Sequence, residues 1–115
     1  EAFAMAERLG LSRQKMFDIV APSTGQSFAL TGYCPLPGPV PTTPANRDYA
    51  PGFATKLMVK DLRLAQEAAA SGGAPTPLGA HATQLFEAMM EDGLGDRDFS
   101  IIAQWLGAKF RADLA

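Results

Sequence analysis

The placement of proline constrains the fold of this chain more than any other sequence feature. Six of the nine prolines among its 115 residues fall within residues 34–52. Because proline fixes φ and has no backbone N–H, we predict that this segment forms neither a helix nor a central strand. Structureless segments of this length are uncommon in compact domains unless they are functional or cover a surface. Tyr33, Val40, Tyr49 and Phe53 give it apolar contacts, so we expect packing rather than a flexible linker between subdomains.

Outside the proline-rich segment, apolar residues recur at helical spacing and no stretch alternates with period two. We therefore predict an all-α fold forming a single domain over residues 1–115. Glu1 to Leu9 resemble a helix already in progress, with no N-cap before it, so we expect a fragment of a longer protein. The longest helix is predicted from Phe53 to Ser71. Further helix starts are predicted at Ser12, at the Ser23 and Gln26 capping box, at Thr76 and at Asp98.

Charge and composition exclude several classes of partner. Ten basic residues against twelve acidic residues give a net charge of −2, and the basic residues form no run. Nucleic acid and anionic membranes are therefore poor partners, and no apolar run approaches the roughly 20 residues of a membrane span. Cys34 is the only cysteine, which excludes an internal disulfide. His81 is the only histidine, so we expect no metal site.

The predicted long helix carries one anomalous charge. Asp61 lies between Leu57 and Leu64 on what the spacing identifies as the apolar face. A carboxylate on a core-facing surface costs several kcal/mol unless it is hydrogen-bonded or paired. Asp61 is therefore either a core aspartate bonded to nearby backbone or part of a ligand site, and the pattern favours neither.

The same helix also combines an aromatic ring with basic side chains. Lys60 follows Phe53 by seven residues, so both project from nearly the same face, and Lys56 lies one turn before Lys60. Such a face suits an anionic ligand with a flat ring, such as a dinucleotide. The alternative is that both lysines simply face solvent, as most lysines do.

These residues belong to a run that resembles a known family signature. Residues 52–62, GFATKLMVKDL, resemble the G-F-x-x-x-L-M-x-K-D-L motif of the β-hydroxyacid dehydrogenases. The shorter motifs Thr76-Pro77-Leu78-Gly79, Gly95-Asp96-Arg97-Asp98-Phe99-Ser100 and Ser23-Thr24-Gly25 match in the same order. The resemblance extends from Glu1 to Leu106, nearly the whole chain.

The resemblance implies a two-domain oxidoreductase. Its N-terminal Rossmann domain would make most of the contacts to the cofactor, NAD or NADP. Its C-terminal helical bundle would cover the active site and form the contacts of a homo-oligomer. This chain would be that C-terminal bundle, closest to members that oxidise 3-hydroxyisobutyrate to methylmalonate semialdehyde in valine degradation. The location implied is cytoplasmic, or the mitochondrial matrix in a eukaryote. The alternative is a non-enzymatic helical interaction or dimerisation module.

The resemblance also assigns roles to individual residues. The family's catalytic lysine would lie upstream of Glu1, so the chain would hold no catalytic residue and be inactive alone. Lys60 would contact the nicotinamide cofactor. Phe53 and Asp61 would line the substrate pocket beside it. No metal is implied.

Overall fold

The computed structural model describes residues 1–112, with side chains through residue 109. Residues 113–115, which the predicted domain includes, lie outside the described part. The described helices are α1 (Ala2–Arg8), α2 (Arg13–Val20), α3 (Phe28–Thr31), α4 (Thr55–Gly72), α5 (Pro77–Glu91) and α6 (Ile102–Ala112). Short 3-10 helices occupy Pro44–Arg47 and Phe99–Ile101. None of the described helices is both long and apolar enough to cross a membrane.

The contacts divide the chain into two compact units. The first contains Glu1–Ala50 and Ser100–Ala115, and the second contains Pro51–Phe99. In the first unit α1 packs against α2 and α6, whereas in the second α4 packs against α5. An isolated antiparallel β-bridge also joins Ala54 and Asp98. All the regular elements of the described residues are thus helical, and their main contacts lie within each of the two units.

The core of the first unit includes the start of the proline-rich segment. Its buried members are Phe3, Leu30, Cys34 and Leu36. Burying an aliphatic or aromatic side chain of this size contributes about 1.5–3 kcal/mol. The half-buried side chains packed against this core come from α2, the proline-rich segment and α6: Met16, Phe17, Val20, Ala21, Val40 and Ala103.

Hydrogen bonds hold the proline-rich segment in place. The buried Tyr49 hydroxyl donates to the Pro35 carbonyl at 2.8 Å. The Asn46 amide donates to the Val40 carbonyl at 2.8 Å, and its oxygen accepts from the Gly38 N–H at 3.0 Å. These bonds lie within the segment, and its buried Cys34 and Leu36 pack with Phe3 and Leu30, so the prediction that it packs on the protein is confirmed.

The capping predictions had mixed outcomes. The Ser12 hydroxyl accepts from the Lys15 N–H at 3.3 Å and caps α2 as predicted. The Ser23 capping box is wrong, because Ser27 caps α3 and accepts from the Leu30 N–H at 3.3 Å. The Ser23 hydroxyl instead donates to the Val20 carbonyl at 2.8 Å, which ends α2. Ser23 and Ser27 both lie shortly before α3, but only Ser27 occupies its N-cap position, while Ser23 belongs to the turn that follows α2.

The second unit is a helical hairpin. Gly73 ends α4 with φ +67°, a left-handed conformation that glycine adopts without a Cβ clash. Its N–H donates to the Ala70 carbonyl at 3.2 Å, and the next N–H donates to the Ala69 carbonyl at 2.9 Å. Across the hairpin, Arg63 pairs with Glu87 at 2.8 Å. The hydroxyl of Thr76 contacts the Gln66 amide oxygen at 3.1 Å rather than capping α5.

The buried Cys34 thiol is expected to be almost unreactive in the folded protein. Burial raises its pKa above 9.0, outweighing the opposing effects of a Leu36 backbone hydrogen bond and the Arg13 charge. A thiol reagent such as DTNB at pH 8 should therefore label Cys34 slowly, and rapidly once denaturant is added. Fast stoichiometric labelling of native protein would contradict this.

The same shift has a predicted pH dependence. The folded state holds the Cys34 proton more tightly than the unfolded chain, whose thiol titrates near pH 9.0. This contribution to the free energy of unfolding is thus complete below pH 9 and declines as the pH rises through the raised folded value. Denaturant titrations at pH 8 and pH 10, compared with Cys34→Ala, isolate the effect.

Candidate functional site

The outward face of α4 carries the predicted site residues. Lys60 and Asp61 are both exposed, as are Leu57 (42%) and Leu64 (53%). Phe53, just before the helix, is half-buried. Leu57, Lys60, Asp61 and Leu64 recur at helical spacing and share one side of α4, whereas Phe53 precedes the helix and is not placed on that side by the spacing. We call these four residues, together with Phe53, the outer α4 face.

The inward face of α4 differs from the predicted one. The residues buried in this helix are Thr55 and Val59, with half-buried Leu62 and Gln66 along the same side. The expectation that Asp61 lies in an apolar core is therefore wrong. Apolar residues recur on two sides of this helix. The spacing of Leu57 and Leu64 suggested a core-facing side, but that side faces solvent.

The start of α4 is held by residues 95–99, which we call the capping segment. Ala54 occupies the N-cap position and has no side chain that could satisfy the first N–H groups. Instead, the Thr55 N–H donates to the Arg97 carbonyl at 2.9 Å, and the Lys56 N–H donates to the Gly95 carbonyl at 3.0 Å. The Thr55 hydroxyl adds a bond to the Arg97 carbonyl at 3.1 Å. Neighbouring backbone thus replaces a side-chain cap.

Asp98 fixes the backbone that leads into α4. It is fully buried, and its Oδ1 accepts the N–H groups of Gly52 and Phe53, each at 3.0 Å. The Phe99 N–H donates to the Phe53 carbonyl at 2.9 Å, and the two rings meet edge to face with centroids 6.0 Å apart. The prediction of Asp98 as the N-cap of the last helix missed this role. An aspartate before an apolar run is the sequence pattern in either case, whether the side chain caps the following helix or accepts hydrogen bonds from a distant backbone.

Of the two lysines in the predicted aromatic and basic face, only Lys56 has a partner among the residues that the structure describes. Lys56 lies 2.6 Å from the Asp96 carboxylate, and its hydrogen bond and charge hold the pKa of Asp96 below its usual range. Within the described residues, Lys60 forms no hydrogen bond or ion pair, and neither does Asp61. The two charges on the outer α4 face are therefore available to a ligand.

A separate cavity of about 300 Å³ lies in the first unit. Arg13 beside it is already paired with Glu7 at 2.9 Å and donates to the Pro37 carbonyl at 3.2 Å. None of the predicted site residues lines this cavity. Across the part of the chain that the structure describes, no group of three or more His, Cys, Asp or Glu side chains could hold a metal ion.

Comparison with known proteins identifies the family of this chain. A family model described as NAD-binding of NADP-dependent 3-hydroxyisobutyrate dehydrogenase matches residues 1–106. The chain belongs to this family. The signature-based resemblance to β-hydroxyacid dehydrogenases is thereby confirmed at the family level.

Individual relatives agree with the family match. A probable 3-hydroxyisobutyrate dehydrogenase of Mycobacterium tuberculosis is 50% identical over 109 residues, covering 95% of this chain and 37% of the relative. An NAD-dependent L-serine dehydrogenase of Pseudomonas aeruginosa is 41% identical, covering 89% of this chain and 34% of the relative. The chain thus spans little more than a third of the length of these relatives.

A solved structure shares the fold. The Mycobacterium tuberculosis 3-hydroxyisobutyrate dehydrogenase, solved with L-serine, superposes with a TM-score of 0.87 at 50% sequence identity. The superposition covers 91% of this chain and 36% of that structure.

The family match corrects two expectations. The cofactor was expected to bind mainly to a missing N-terminal Rossmann domain, but the model matching residues 1–106 is itself described as NAD-binding. NAD binding is therefore assigned to this region. For the same reason, the fold class assigned from the resemblance, a C-terminal helical bundle distinct from the NAD-binding part, is wrong. The signature motif identified the family but not the role of this region within it.

Proposed function

We propose that the outer α4 face forms part of the cofactor and substrate site of a dehydrogenase that acts on short β-hydroxy acids. The observation that carries the proposal is the pair of exposed charges, Lys60 and Asp61, that no described residue neutralises. Long charged side chains without partners cost little in solvent and remain free to meet a ligand. Membership of an NAD-binding family supplies the identity of that ligand.

In this proposal each residue of the outer α4 face has a role that follows from the chemistry of its side chain. The Lys60 ammonium pairs with an anionic group of NAD, or of NADP. Phe53 presents an aromatic surface beside the flat nicotinamide, and Asp61 accepts hydrogen bonds from hydroxyl groups of the bound molecules. A lysine contact of this kind acts as a point charge with three donors, which suits a phosphate oxygen.

The proposed substrate is 3-hydroxyisobutyrate, oxidised to methylmalonate semialdehyde with NAD, as in valine degradation. The carbon bearing the hydroxyl would transfer a hydride to the nicotinamide, and the hydroxyl proton would pass to a base. The resemblance implies that this base is a lysine upstream of this chain, so the chain alone is proposed to be inactive. Homo-oligomeric assembly and a cytoplasmic location stay predictions.

L-serine is a second candidate substrate, favoured by the Pseudomonas aeruginosa relative that is named for it. Both candidates are short carboxylic acids with a hydroxyl on the carbon β to the carboxylate; 3-hydroxyisobutyrate carries a methyl group on the α carbon where serine carries an amino group. Steady-state rates of NADH formation with each substrate, measured on the complete protein that carries this chain, distinguish them. Absence of turnover with both would favour the non-enzymatic interaction module.

Lys60→Ala is expected to weaken NAD binding by the complete protein roughly ten- to a hundredfold. The loss of a hydrogen bond to a charged group, about 1.5–3 kcal/mol, sets this range. The melting temperature should stay unchanged, because Lys60 is exposed and has no partner among the described residues. Isothermal calorimetry and thermal melts provide the two readouts.

Two further variants complete this experiment. Asp61→Ala, at an equally exposed position, should also leave the melting temperature unchanged while raising the KM for the substrate. Lys15→Ala removes an exposed lysine on α2 and should change neither property. If Lys60→Ala binds NAD as tightly as the Lys15→Ala control, the proposed role of the outer α4 face is wrong.

A further inference from the structure

We infer that Asp98 is a positioning residue for the cofactor site, acting through the backbone of Gly52 and Phe53. The inference rests on the proposed function, since it concerns the same outer α4 face. Asp98 itself is fully buried, so its effect reaches a ligand only through the residues that it holds.

The first step concerns how the helix start is anchored. A helix leaves its first four N–H groups without intrahelical partners, and α4 has no side chain at its N-cap to satisfy them. The capping segment supplies acceptors for two of these groups, those of Thr55 and Lys56. The direction in which α4 begins therefore depends on residues about 40 positions later in the sequence.

The second step concerns Phe53. Asp98 accepts its N–H, Phe99 donates to its carbonyl, and the Phe99 ring contacts its ring. Its backbone is thus fixed on both sides by the capping segment. A buried carboxylate that accepts two backbone N–H groups forms strong, charge-assisted hydrogen bonds. Such bonds restrict the backbone more than neutral ones would.

The third step links this anchor to the charges of the outer α4 face. Lys60 lies five residues beyond Thr55, the first residue of α4, or roughly 8 Å along a helix that rises about 1.5 Å per residue. Because α4 is continuous from Thr55 to Lys60, a change in its starting direction moves the Lys60 ammonium relative to Phe53, which lies just before the helix. Misplacement by about an ångström is enough to weaken a ligand site markedly.

The experiment compares two destabilised variants of the complete protein that carries this chain, using NAD as the probe. Asp98→Asn keeps an oxygen acceptor but removes the charge, so the fold should persist with a looser helix start. We expect its Kd for NAD to rise three- to tenfold, measured by calorimetry well below its melting temperature. Met89→Ala, a change at a buried position on α5, should lower stability but leave the Kd within twofold of the wild type.

The outcomes separate positioning from stability. An unchanged Kd for Asp98→Asn overturns the inference, and so does an equal increase for Met89→Ala, which would mean that stability alone controls binding. If these results accompany a weakened Lys60→Ala variant, the proposed function still stands. If the wild-type protein fails to bind NAD, or Lys60→Ala binds it normally, the proposed function fails and the inference fails with it.

Discussion

Asp98→Ala is expected to lower the free energy of unfolding by about 3 kcal/mol or more. The substitution leaves the N–H groups of Gly52 and Phe53 without their acceptor at a site with no exposure to solvent. Each hydrogen bond to a charged group contributes about 1.5–3 kcal/mol, and each stranded donor keeps its desolvation cost. Urea unfolding followed by circular dichroism measures the loss.

Asp96→Ala is the matched control, two residues earlier in the same segment. Its carboxylate is exposed and pairs with the exposed Lys56, so solvent already screens the interaction. The urea midpoint of this variant should stay at the wild-type value. Equal midpoints for Asp98→Ala and Asp96→Ala would show that the buried carboxylate does not anchor the start of α4.

Met89→Ala is expected to be the most destabilising single truncation in the α4 and α5 hairpin, at about 2–5 kcal/mol. Met89 is fully buried on α5, so removing its side chain leaves a cavity that its neighbours fill only in part. Its neighbour Met90, with 37% exposure, provides a control of identical chemistry. Met90→Ala should cost under about 1 kcal/mol.

The same unfolding experiment reports both methionine variants. A difference below about 1 kcal/mol between them would indicate that the hairpin relaxes around the missing Met89 side chain. The buried Met89 side chain would then contribute less to the free energy of unfolding than a side chain in a close-packed core usually does.

Local signals in the sequence predicted much of the secondary structure. Proline placement identified a segment without α-helix or strand, although it missed the short 3-10 helix at Pro44–Arg47. The predicted long helix differs from α4 by only one or two residues at each end. Ser12 was recognisable as a cap because its partner, Lys15, lies three residues away. Interactions of such short range depend on neighbours that the sequence displays directly.

The errors and omissions arose where the deciding partner is distant in sequence. Asp98 directly precedes the 3-10 helix before α6, in keeping with its predicted N-cap position, but its hydrogen bonds to Gly52 and Phe53, more than 40 residues earlier, were not predicted. The orientation of α4 likewise depends on α5, which periodicity alone does not reveal. For the site, the signature predicted Lys60 and Asp61 as candidates, whereas their exposure could come only from the structure.

The β-bridge between Ala54 and Asp98 has a consequence for how this region can vary in length. The bridge pairs the residue just before α4 with a residue that follows α5, so the chain enters and leaves the hairpin at the same place. Its tip, residues 73–76, lies at the opposite end of both helices. Matched whole-turn insertions or deletions in the two helices at that tip would lengthen or shorten the hairpin without altering the junction. Related proteins can therefore differ in the reach of this hairpin while keeping Phe53 and Asp98 in the same arrangement.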